Sequence, residues 1–278
     1  MYGERNTMPK RKTDPASVKA VSDRLKALHL NAMAEGLEVL DQGGELYQMA
    51  PLEVLNQLIA LQQISSDNRI TDRYKRSARL FFPMADLSNI LYLPDRHINA
   101  ALMDELATNQ YIDNSRNVLI TSATGCGKTF CACALGNNAC NHQYSVRYFT
   151  MMGFLDACEV ATEKRREVKF ISSVEKVNLI ILDDFMLTSI DKKETEYLYR
   201  LVSERPRKIK PRSFIICSQL MKDEMYTRLS QASPGLADAI MNRICAKAYE
   251  FQIQGDSMRD RDIEAELKRL HPKVAEQQ

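Results

Sequence analysis

The stretch Ser122-Ala123-Thr124-Gly125-Cys126-Gly127-Lys128-Thr129 sets two glycines, a lysine and a hydroxyl at the spacing of a phosphate-binding loop. Gly125 and Gly127 let the backbone turn and come close to phosphate oxygens. Lys128 brings charge to the β- and γ-phosphates of a nucleotide, and the Thr129 hydroxyl is placed to ligate Mg2+. The pattern G-x-x-x-x-G-K-[ST] is met except at its first position, where Ser122 stands for glycine. Serine enters such a turn only if its dihedrals allow, so the expected cost falls on loop geometry and turnover. With Phe130, which follows, these are the candidate nucleotide-contacting residues. A second element lies in Leu179-Ile180-Ile181-Leu182-Asp183-Asp184, an aliphatic run ending in two carboxylates. Asp183 suits Mg2+, directly or through water, and Asp184 suits orienting or deprotonating an attacking water. A third lies in Cys217-Ser218-Gln219, where a polar side chain can touch both that water and the γ-phosphate. Spacing leaves Ser218 and Gln219 equally eligible as this sensor.

These groups need elements to bring them together. The phosphate loop follows an apolar strand and opens an apolar helix, so backbone N–H groups and a positive helix end converge on one point. Four consecutive aliphatics before Asp183 mark a parallel strand buried on both faces, with its carboxylates at the edge where open α/β sheets bind ligands. Strand–helix alternation begins after Asn114, with strands expected over 117–121, 146–150, 178–183, 213–218 and 248–253. Helices are expected at about 128–141, 152–165, 191–204 and 235–246. This is the rhythm of a parallel sheet covered on both faces. Upstream, Val18, Val21, Leu25 and Leu28, then Leu52, Leu55, Leu58 and Ile59, recur at helical spacing. Gly43-Gly44 and Pro51 are expected to punctuate that region into short helices, followed by an irregular apolar linker over 83–94 and a helix over 96–109. The expected layout is a basic flexible tail (1–16), a helical N-terminal domain for assembly, partner or DNA contact (17–82), a linker and helix (83–113), an ATPase domain (114–261) and a C-terminal helix or tail (262–278). The residues after the last strand are too few for a separate helical lid.

Composition narrows the class. At 278 residues and 45% hydrophobic the chain can bury a sizeable core. A net charge of +2 does not by itself imply nucleic acid. The seven cysteines form no C-x-x-C pair and no Cys/His ligand spacing, which argues against zinc. One of them, Cys126, sits inside the phosphate loop, which suits a reducing compartment. No apolar run approaches the roughly 18 residues of a membrane span, and the polar start lacks a signal region, so a cytoplasmic location with no membrane partner is expected.

The ordered set TSATGCGKTFCACALG, LIILDDF, SFIICSQL, LADAIMNRI and GDSMR resembles the IstB-type transposition helper ATPases of the AAA+ superfamily, relatives of the DnaC helicase loaders. The resemblance runs from about Val18 to Arg261. It implies an AAA+ P-loop domain, a three-layer α/β/α sandwich on a five-stranded parallel sheet, preceded by a small all-helical domain. It implies ATP and Mg2+ as cofactors, ATP hydrolysis that is slow and stimulated by DNA or partner, and homo-oligomers with sites at subunit interfaces. Arg243, in Ala239-Ile240-Met241-Asn242-Arg243, then corresponds to an arginine finger serving a neighbouring subunit. Arg259, in Gly255-Asp256-Ser257-Met258-Arg259, corresponds to the second sensor arginine. Ser122 departs from the family glycine.

The implied activity is that of an ATP-dependent regulator that assembles on target duplex DNA and recruits or activates a cognate transposase. Two rival readings remain: a DnaC-like replicative helicase loader, and an ATP-dependent assembly scaffold with little turnover. Candidate DNA contacts are Lys164, Arg165 and Arg166, ranked first because the segment after the second strand faces the central axis of AAA+ assemblies. Arg69, Arg73 and Arg76 on one helical face follow, and then Arg205, Arg207, Lys208, Lys210 and Arg212. No stacking aromatics interleave these clusters, so sequence-independent phosphate contacts are expected.

Overall fold

The computed structural model describes residues 17–203, 211–259 and 261, which fall into two compact units, divided between Asp72 and Arg73. The expected tails over 1–16 and 262–278, and Arg205, Arg207, Lys208 and Lys210, lie outside the described residues.

The first unit is helical. α1 (Val18–Ala27) starts where the Ser17 hydroxyl accepts from the Ala20 amide at 3.2 Å, satisfying a donor that the first turn leaves orphaned. α2 (Asn31–Gln42) ends at Gly43-Gly44, as the sequence suggests. α3 (Pro51–Ala78) is one helix of 28 residues rather than the expected short pieces. Pro51 opens it, because proline's missing N–H costs nothing in a first helical turn. Leu37, Leu40 and Leu58 form the unit's core, with Val21, Leu25 and Val54 packed against them.

In the second unit the chain leaves α3, passes through an irregular segment and forms α4 (Ala100–Ala107) and α5 (Gln110–Asp113). The helix expected from residue 96 starts later, because Arg96 closes a 3-10 turn, His97 has φ of 52° and Asn99 caps α4. β1 (Val118–Ser122), α6 (Lys128–Asn141), β2 (Val146–Thr150), α7 (Met151–Glu163), α8 (Glu167–Glu175) and β3 (Leu179–Asp183) follow. α9 (Lys192–Ser203), β4 (Ser213–Ser218), α10 (Lys222–Ala232), α11 (Pro234–Cys245) and β5 (Tyr249–Ile253) complete the described fold. The sheet is parallel throughout, in the order β2-β3-β4-β1-β5.

Side chains alternate across each strand, so the sheet feeds two cores. Ile120, Ile181 and Cys217 face one core with Cys131, Ala132 and Leu135 of α6. Leu119, Ile180, Leu182 and Ile216 face the other, with Phe154, Leu198 and Ile240. Burial on both faces explains why these strands read as unbroken aliphatic runs. The carboxyl ends of β1, β3 and β4, in the middle of the sheet, then open onto one edge with the N-terminus of α6.

Candidate nucleotide site at the carboxyl edge of the sheet

Ser122 ends β1 in register with Ile253 of β5 and is buried; its hydroxyl donates to the Ala123 carbonyl at 2.9 Å. It is absent from the positive-φ residues, so this position does not require glycine. Gly125 and Gly127 do, with φ of 86° and 94°. Both are also closely approached: a Cβ on Gly125 would lie 2.4 Å from the Ser257 hydroxyl, and one on Gly127 2.7 Å from Arg96 Nη2. The loop then delivers Lys128 as the first residue of α6, 5% exposed.

The acidic element meets the loop directly. Thr129 Oγ1 donates to Asp183 Oδ2 at 2.7 Å, and the Tyr148 hydroxyl donates to the same oxygen at 2.9 Å. The Asp184 amide donates to Asp183 Oδ1 at 2.9 Å. A carboxylate only 2% exposed is costly unless donors surround it, and these three supply that compensation. Burial and the charge of Asp183 push the Tyr148 hydroxyl far above its ordinary value, so it stays a donor.

Asp184 has φ of 52°, a left-handed conformation that aspartate tolerates better than branched residues do. Burial, and secondarily the charge of Asp183, raise its carboxyl above the ordinary range; Lys128 and a hydrogen bond with Gln219 pull it back. Gln219 Oε1 accepts from the Thr124 hydroxyl at 2.7 Å, so this residue ties the loop to the second carboxylate. Ser218 is fully buried and donates to the Phe185 carbonyl at 2.7 Å, holding the turn after β3. Of the two sensor candidates, Gln219 is the one at the cavity.

A cavity of about 790 Å³ opens over these groups. It brings together Thr124, Gly125, Gly127, Lys128, Thr129 and Phe130 with Asp183, Asp184, Gln219 and Arg259. Ala123 and Cys126 belong to the loop without lining it; Cys126 is buried, with its thiol 3.3 Å from the Gly255 carbonyl. Arg243 is not at this cavity. It is exposed on α11, with Nη1 donating to the Ala239 carbonyl at 2.8 Å and its guanidinium 5.4 Å from the Tyr199 ring centre. Lys164, Arg165 and Arg166 form the exposed turn between α7 and α8, and Arg69, Arg73 and Arg76 are exposed along α3. Arg212 is buried, which lowers its guanidinium's affinity for the proton and removes it from the surface candidates.

Two contributors escape the sequence reading. Arg96 is 4% exposed, lines the cavity and donates to the Cys126 carbonyl at 2.8 Å and the Leu91 carbonyl at 2.6 Å. Its signal was a lone arginine after an apolar linker, and that linker itself supplies Ile90 and Leu91 to the cavity wall. Tyr148 could have been found as the polar aromatic two residues before the end of the strand neighbouring β3.

Thr129 and Asp183 fit Mg2+: two hard oxygens, 2.7 Å apart beside a phosphate loop, are what this ion takes from a protein when phosphate and water supply its other ligands.

Comparison with known proteins gives the chain a family and a fold. The sequence model of the family described as IstB-like ATP binding protein matches residues 23–265. An insertion sequence ATP-binding protein of Sinorhizobium fredii, y4uH, is 29% identical over 235 residues, covering 84% of this chain and 92% of that one. The IS1162 ATP-binding protein of Pseudomonas fluorescens is 28% identical over 197 residues, covering 71% of this chain and 84% of that one. Among solved structures, AMPPCP-bound DnaA from Aquifex aeolicus superposes with a TM-score of 0.54 at 21% identity, covering 67% of this chain and 55% of that one. DnaI superposes with a TM-score of 0.52 at 16% identity, over 62% of this chain and 92% of that one. At these identities the likeness is one of fold. Among the described residues, no helix is long and apolar enough to cross a membrane.

Proposed function

Because this chain belongs to the family of IstB-like ATP-binding proteins, we propose that it is a DNA-binding AAA+ regulator that assembles on target duplex DNA, recruits or activates a transposase, and is reset by ATP hydrolysis. ATP binding and the AAA+ fold follow from the family and the architecture. The observation that carries the rest is the gathering of Lys128, Thr129, Asp183, Asp184 and Gln219 around one cavity, in a chain whose relatives are named as insertion sequence proteins.

The chemistry follows from positions. The N-terminus of α6 and Lys128 hold the β- and γ-phosphates. Thr129 and Asp183 would hold Mg2+, which supplies charge neutralisation at the phosphates when bound. Asp184, with its raised carboxyl, orients the attacking water and takes its proton. Gln219 senses the γ-phosphate, and its hydrogen bond to Thr124 couples that sensing to the loop. Arg259 completes the charge at the cavity, while Arg243 serves the site of an adjacent subunit. Duplex DNA is held through phosphates by Lys164, Arg165 and Arg166, with Arg69, Arg73 and Arg76 as a second surface, so affinity falls steeply with salt.

The test is duplex binding with a non-hydrolysable ATP analogue, followed by imaging. Wild type is expected to form multi-subunit complexes on duplex and to retain a cognate transposase, and Lys128→Ala to do neither. Preference for single strands together with capture of a replicative helicase would instead identify a loader.

A further inference from the structure

The contact between Tyr148 and Asp183 is part of no motif named above, and it follows from the sheet. β2 and β3 are parallel neighbours, with Tyr148 opposite Ile181 and Thr150 opposite Asp183. Tyr148, Ile181 and Asp183 therefore share the face toward α6, and a tyrosine is long enough to reach its diagonal neighbour on the next strand. Its hydroxyl meets Asp183 Oδ2 at 2.9 Å, while the residue is 9% exposed and its ring lies 6.4 Å, centre to centre, from that of Phe81.

Asp183 Oδ2 has two side-chain donors of different standing. Thr129 belongs to the phosphate loop and is itself placed as a metal ligand, so its hydroxyl must readjust whenever nucleotide and cation arrive. Tyr148 is anchored in a strand paired along its whole length to the strand that carries Asp183. With Oδ1 held by the Asp184 amide, the phenol fixes the remaining rotation of the carboxylate whatever the loop does.

We propose that Tyr148 is a positioning residue for the divalent cation: it pre-orients the Asp183 carboxylate and so sets the cation affinity of the nucleotide site. The proposal rests on the reading of Asp183 as the Mg2+ ligand. Outer partners that orient a ligating group commonly tune metal affinity by about ten- to a hundredfold.

The test uses Tyr148→Phe, which removes the hydroxyl and keeps the ring. Affinity for a fluorescent ATP analogue is measured in EDTA and then across a Mg2+ titration. Equal affinities for wild type and variant in EDTA are expected, with the variant's Mg2+ midpoint raised by about tenfold. Coincident midpoints would overturn the proposal. So would an equal loss of affinity in EDTA, because Tyr148 would then act through packing of the site as a whole. A wild-type protein that binds the analogue with no dependence on Mg2+ would remove the Asp183 assignment together with this one, an outcome distinct from the other two.

Discussion

Asp184 stands one residue beyond the end of β3, in a left-handed conformation, half-buried against a neighbouring carboxylate, and each of these bears on the proposal that it acts as a base. A base works only when deprotonated, so if Asp184 is that base turnover is expected to fall as pH drops through its carboxyl. Burial moves that fall above the ordinary aspartate value of 3.8. Gln219 opposes the shift by hydrogen bonding, so Gln219→Ala is expected to move the acid limb of the kcat profile to still higher pH. An acid limb that stays in place would separate Gln219 from the base. Ser122 is a residue-scale case of the opposite kind. It is a strand position here, without positive φ, so the backbone does not demand glycine at it. Ser122→Gly, which restores the loop pattern, is expected to leave ATP affinity unchanged and to lower stability by at most about 0.5–1 kcal/mol, since glycine has more backbone freedom to lose on folding, even at a strand end. Isothermal titration and urea unfolding check the two halves of that expectation.

At the scale of elements, the phosphate loop is strapped from two sides. The Met258 amide donates to the Gly125 carbonyl at 2.9 Å, and Arg96 donates to the Cys126 carbonyl from the segment before α4. The Gln254 amide donates to the Arg96 carbonyl at 3.0 Å, which joins the two straps. Removing a buried donor orphans its acceptors, so Arg96→Ala is expected to lower stability by about 1–3 kcal/mol and to weaken nucleotide binding. Unaltered thermal unfolding and affinity would make the strap incidental. None of this was legible in the sequence, because it joins residues distant along the chain through backbone carbonyls that no residue type announces. The strands were legible nearly to the residue: 117–121 became Val118–Ser122, and 213–218 stood unchanged. Doubly buried strands write themselves as aliphatic runs. α10 left too faint a trace, with Met225 and Leu229 its only buried residues, and α8 was hidden by its short apolar set behind Lys164-Arg165-Arg166. Ser218 and Gln219 were equal by spacing. Only the path of the turn after β4 separated them, burying one and leaving the other at the cavity.

At the scale of the whole molecule, Arg243 poses the question of assembly. Its guanidinium is engaged on its own helix and beside Tyr199, away from the cavity that holds Lys128 and Asp184, and it is exposed. Both of its partners are ones an arginine leaves at small cost, a carbonyl of its own helix and an aromatic face at the surface. The proposed role of Arg243, stabilising charge on the transferring phosphoryl group of a neighbouring subunit, requires it to leave these contacts. Arg243→Ala is then expected to lower kcat by on the order of a thousandfold while ATP still binds. Lys128→Ala fails for the opposite reason, having an intact arginine to offer and no loop to use one. Mixing the two inactive variants creates interfaces in which the loop of the first meets the arginine of the second. ATPase activity is expected to reappear in the mixture, to rise with protein concentration as subunits associate, and to vanish on dilution. A mixture as inactive as either parent would confine the action of Arg243 to its own chain.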